Sequence, residues 1–198
     1  MKNRRTVWIP AIVALVVAVS LLAYYYNLDL GPRVSRPRIR LPEGGELFKT
    51  MGTVALWAAA AGFSWVWFRK KRKSPSMLVR QAGKLLYAIH QWLGWATIAL
   101  GAAHGAYLLI YKTSDHKVYS GLASFAVVLA IAGYGLFIPK IRNKWMRLAH
   151  RVLGIAWVPV LFIHAGGSTI LAAGAALAVG GLVWMIDRFN KQEKVGSM

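Results

Sequence analysis

The chain has 198 residues, room for one domain, and 57% of them are hydrophobic, more than a water-soluble domain of this size carries. It has no cysteine, which excludes disulfides, iron–sulfur clusters and thiol chemistry, so any metal must be held by histidine, methionine, carboxylate or backbone. A net charge of +19 would suit nucleic acid, but the basic residues cluster between long apolar runs, as in a membrane protein, and no nucleic-acid partner is expected.

Six apolar segments follow in chain order, at 7–26, 51–68, 85–111, 118–138, 148–165 and 169–186. Each is near the roughly 20 residues that carry a helix across about 30 Å of hydrocarbon. The expected fold is all-α and integral to a membrane, a single six-helix domain over 1–198. The first segment follows a basic start as a signal peptide does. It has the length of a full span, however, and ends in Tyr24-Tyr25-Tyr26 instead of the small residues of a cleavage site, so it reads as a retained helix. Small residues at 58–62 in the second segment and 174–181 in the sixth suit close helix approach.

With the N-terminus in the cytoplasm, eighteen Lys and Arg fall on the cytoplasmic side and seven outside, so both ends are expected in the cytoplasm. The run at 69–73 (RKKRK) is an anchor to lipid headgroups or a docking point for a flavoprotein or a flavin phosphate. The first outer loop is unusually basic. Its Arg33, Arg36, Arg38 and Arg40 suit an anionic ferric chelate, an acidic partner or lipid. Trp and Tyr mark several span ends, as interfacial belts do.

Four of the five histidines lie inside spans: His90 and His104 in the third, His150 and His164 in the fifth. An ionisable group in hydrocarbon costs a few kcal/mol and usually has a partner and a task. Both pairs are separated by 14 residues, about 21 Å of helix and about 40° short of four full turns, so the two histidines of a helix share one face. The third and fifth spans run the same way. His90 therefore falls level with His150, and His104 with His164. Pairs so far apart cannot converge on one zinc ion, which needs three or four protein ligands. Two facing imidazoles per site suit a six-coordinate iron whose other four donors come from a porphyrin, so the spacing calls for two bis-histidine haems b, stacked between the third and fifth helices.

The two segments repeat as H-x-x-L-G followed by nine residues and H. Gly94 and Gly154, four residues after the first histidine of each, remove a side chain that would meet a porphyrin edge. Gly101 and Gly105 flank His104 and serve either the same end or helix packing. Trp157, seven residues from each histidine of its helix, either fills the space between the haems or shortens the electron's path. Arg80, Arg147 and Arg151 stand at the right depth for haem propionates or lipid phosphates. His116 reads as a solvated loop residue.

At these residues the chain resembles the ferric reductase-like transmembrane domain superfamily, which includes ferric reductases, NADPH oxidases and the haem-binding membrane subunit of the bacterial methionine sulfoxide reductase system. KWMRLAHRVLGIAWVPVLFIH is similar to the fifth helix of that subunit, and HQWLGWATIALGAAHGAYLL to the third helix of the wider superfamily. The resemblance implies an oxidoreductase of b-type haem. Its donor would be a cytoplasmic flavoprotein, flavin (FMN or FAD) or quinone; its acceptor, outside, ferric iron, oxygen or a partner reductase. Ferric reductases and NADPH oxidases continue into a large FAD- and NAD(P)H-binding domain, whereas no glycine-rich dinucleotide fingerprint appears in this sequence. Electrons are then expected from a separate donor. Two competing readings share the histidines: a quinone-linked anchor of a peripheral oxidoreductase, and a haem-binding or transport protein without electron transfer.

Overall fold

A computed structural model of the protein describes residues 4–29, 45–71, 73–111 and 117–196. The basic outer-loop residues Arg33, Arg36, Arg38 and Arg40, together with Lys112 and His116, lie outside the described residues. Among those described, six α-helices and no strand are found: α1 (Arg4–Asp29), α2 (Gly45–Phe68), α3 (Met77–Tyr111), α4 (Lys117–Ile141), α5 (Lys144–Ala165) and α6 (Gly167–Gly196). All six are long and apolar enough to cross a membrane.

Each helix outlasts the apolar segment that marks it, because hydrogen bonding continues where hydropathy stops. α3 starts eight residues before the predicted span, after Ser76, whose hydroxyl accepts from Val79 N at 3.5 Å. Asn143 caps α5 in the same way, its side chain accepting from Trp145 N at 2.8 Å. The α4–α5 turn is only two residues long and puts Arg142 at φ 50°, while Gly166, at φ 55°, supplies a positive-φ residue, open to glycine, between α5 and α6.

The helices pair as antiparallel hairpins, α2 with α3 and α4 with α5. α1 lies against α4 and α5, and α6 against α2 and α5. The hydroxyl of Tyr134 on α4 donates to Val7 O and accepts from Ala11 N at 3.2 Å, tying α1 to the second hairpin. On the other side Gly180 of α6 meets the Trp67 indole so closely that a Cβ there would lie 2.6 Å from the ring. That contact needs a small residue, as expected of the sixth segment. Large apolar side chains face outward on every side, among them Trp92, Ile110 and Leu171, each about 70% exposed or more. Water would not tolerate such a surface, but hydrocarbon does.

Just past the end of α2, a buried acid from within α6 pins the α2–α3 connection. Asp187, 4% exposed, accepts from Lys71 Nζ at 2.6 Å and from Ser74 Oγ at 2.6 Å. Replacing Asp187 by Asn keeps the shape but removes the charge that both donors point at. A loss of about 1–3 kcal/mol is expected, read as a lower unfolding temperature in detergent.

Candidate functional site

The two hairpins bring the four span histidines together in two pairs. The His90 and His150 ring centres are 6.1 Å apart with planes at 74°, and those of His104 and His164 are 6.3 Å apart at 75°. The pairing runs in the same order along both helices, so α3 and α5 are parallel, and 14 residues of helix set the pairs about 21 Å apart.

The opposite edge of every ring is occupied. Nδ1 of His90 is 3.1 Å from Gly62 O, Nδ1 of His104 is 2.7 Å from Phe48 O, and Nδ1 of His150 is 2.9 Å from Ile131 O. A carbonyl can only accept, so in the neutral ring each of these Nδ1 atoms carries the proton and Nε2 keeps its lone pair. His164 reaches the same state by another partner. Ser120 Oγ donates to Lys117 O at 2.9 Å and accepts from His164 Nδ1 at 3.2 Å. This is how ligating histidines are held, with the distal N–H fixing tautomer and ring plane.

α2 and α4, behind the histidines, contribute glycines. A Cβ at Gly52 would lie 2.8 Å from the His104 ring, and one at Gly121 would lie 2.9 Å from His164. Gly62 and Gly135 meet His90 and His150 more loosely, at 3.7 and 3.5 Å. A Cβ at Gly94, Gly105 or Gly154 would meet nothing within 4 Å, and one at Gly101 would meet the Phe125 ring at 3.8 Å. No protein atom requires glycine at those three open positions. α3 and α5 make no extensive contact with each other, although their imidazoles face across the gap. Around the second pair the gap widens to a cavity of about 610 Å³, lined by Gly101, His104, Gly105, Trp157 and His164.

A bis-histidine haem fits these dimensions. A bond of about 2 Å from metal to imidazole nitrogen, and about 1 Å more to the ring centre, on each side of one iron gives about 6 Å between centres. Among the described residues no three His, Cys, Asp or Glu side chains converge, so two imidazoles per site are what the chain offers a metal.

The other expected site residues are placed as follows. Trp157 lines the cavity and its Nε1 donates to the Ser124 carbonyl at 3.0 Å and hydroxyl at 2.9 Å, so the indole is tied to α4. Arg80 is turned to the α2–α3 connection, donating to Ser74 O at 2.7 Å. Arg151 donates to Arg147 O at 3.0 Å, with Arg147 exposed and Arg151 half-buried near His150. Sequence reasoning missed Gly52, Gly121, Ser120 and the three carbonyls, and also Lys49 and Lys117, which line the cavity with the second histidine pair.

No family model, curated protein or solved structure matches the chain.

Proposed function

We propose that the chain is an integral membrane cytochrome that holds two haems b, one between His90 and His150 and one between His104 and His164, and passes electrons across the bilayer. One observation carries the reading: two pairs of facing imidazoles 6.1 and 6.3 Å apart, all four with Nδ1 engaged from behind. In a neutral ring whose Nδ1 carries the proton, Nε2 keeps the lone pair that can bind an electrophile. Held by these four histidines, haem would supply one-electron chemistry. The protein's part is to fix the ligand rings, exclude water from the slot and set the distance between the sites.

The excess of Lys and Arg places the first pair towards the cytoplasm and the second towards the outside. Arg147 and Arg151 then stand near the inner haem as counter-charges, and Lys49 and Lys117 near the outer one. The superfamily resemblance supports a cytoplasmic flavin, flavoprotein or quinone as donor, and a ferric chelate, oxygen or partner reductase outside as acceptor.

The test is vectorial electron transfer. Purified protein is loaded with haem and reconstituted in vesicles that trap ferricyanide, and dithionite is added outside. Bleaching of the trapped ferricyanide is expected with the wild type and not with His104→Ala. Equal rates from both, or from empty vesicles, would rule the reading out.

The glycine seats give a second check. An alanine at Gly52 or Gly121 must push an imidazole aside by several tenths of an ångström, so Gly52→Ala and Gly121→Ala should lower haem occupancy at the second site. Gly62→Ala and Gly135→Ala meet ordinary contact distances and should bind both haems. Spectra and haem-to-protein ratios of the four variants make the comparison.

A further inference from the structure

We infer that Ser120 tunes the His104–His164 site through His164, holding its reduction potential above the value a carbonyl partner would give; the inference rests on the haem reading proposed above. Three imidazoles donate Nδ1–H to main-chain carbonyls, whereas His164 donates to a hydroxyl whose own proton is committed to Lys117 O. A carbonyl is the stronger acceptor. It draws the Nδ1 proton further and makes Nε2 a more basic ligand. A more basic ligand favours the ferric state, which carries the extra positive charge, and so lowers the potential.

Carbonyls back both imidazoles of the first site; at the second, a carbonyl backs His104 and the Ser120 hydroxyl meets His164. Ser120 is fully buried, at 0% exposure, so bulk water does not reach the hydroxyl to even out the difference. The contrast favours transfer in one direction. With haem held by His90 and His150 and by His104 and His164, the bound group would supply one-electron chemistry, and the Ser120 contact would favour the electron residing at the second pair. Ser120 touches neither iron in this scheme and is a positioning residue for His164.

The experiment is a redox titration of the haem-loaded full chain, followed in the visible α-band. The second-site wave is identified as the one missing from His104→Ala. Ser120→Asn puts a carbonyl where the hydroxyl stood. It should lower the second midpoint by the equivalent of about tenfold in the reduction equilibrium, about 59 mV for one electron. Ser120→Ala needs no extra room and removes the acceptor, so it should raise the second midpoint. The first wave should stay where it is in both variants.

Opposite signs at one position are the signature, because a packing disturbance would move both variants the same way. A haem-loaded Ser120→Ala protein whose second wave is unmoved or lowered overturns the inference, even if Ser120→Asn fails to take up the second haem. A wild-type protein that binds no haem overturns the site reading itself, and that failure is told apart from a haem-loaded protein indifferent to position 120.

Discussion

His104→Ala and His164→Ala should each yield a folded protein with one haem per chain instead of two, and His90→Ala and His150→Ala should do the same at the other site. The two sites are separated by four helical turns and share no ligand, so loss of one iron leaves the other pair's geometry untouched. Truncating one imidazole would, on the proposed reading, remove one of the two protein ligands of that site, and it frees a backbone acceptor, Phe48 O in the case of His104. The expected loss is nearly complete at the altered site. Removing a supporting contact alone costs about 10–100-fold in metal affinity, and removing the ligand costs more. Haem-to-protein ratios and the reduced spectrum of each single variant measure it. Two haems retained in every variant would mean that these imidazoles are not the ligands.

The second large effect is expected at glycines that touch nothing. A Cβ at Gly94 or Gly154 meets no atom within 4 Å, so in Gly94→Leu and Gly154→Leu the added side chain starts in open space. They also replace glycine, the poorest non-proline helix former, which by itself favours the helix by about 1 kcal/mol. If the open space belongs to a porphyrin, each leucine should bar haem from the His90–His150 site while the haem-free protein stays as heat-stable as the haem-free wild type. If the glycines face lipid, haem stays bound. Thermal unfolding with and without haem, alongside the haem ratio, distinguishes the two outcomes.

The positions that carry this account differ in how far the sequence exposes them. Membrane-length helices follow from runs of apolar residues, and the level pairing of His90 with His150 and His104 with His164 follows from equal spacing on parallel helices. Both properties lie within one helix or its repeat. The supports do not, because they reach across a hairpin. Positions 62 and 90 are symmetric about residue 76, and so are 48 and 104. Folding α2 back on α3 at Ser76 therefore places a carbonyl behind each histidine. Positions 120 and 164 lie about equally far from the α4–α5 turn at 142–143, and positions 131 and 150 do so nearly. Reflecting each histidine through its turn would have pointed to Phe48, Gly62, Gly121 and Gly135, with Gly52 one helical turn on from Phe48, a signal that hydropathy and heptad-type periodicity do not carry. Arg80 shows the converse. Its depth in the sequence suits a propionate, but the free carbonyls of a short loop lie nearer and take its guanidinium. The helix ends went unread for a simpler reason: Ser76 and Asn143 are polar, and they extend the helices by capping, not by hydropathy.

The most direct measurement is a reduced-minus-oxidised spectrum of the purified protein together with its haem content by pyridine haemochrome. Two bis-histidine haems, as proposed, should give a low-spin b-type spectrum and about two haems per chain. A colourless preparation that takes up no added haem, or one saturating at a single haem that survives loss of His104, would contradict the account.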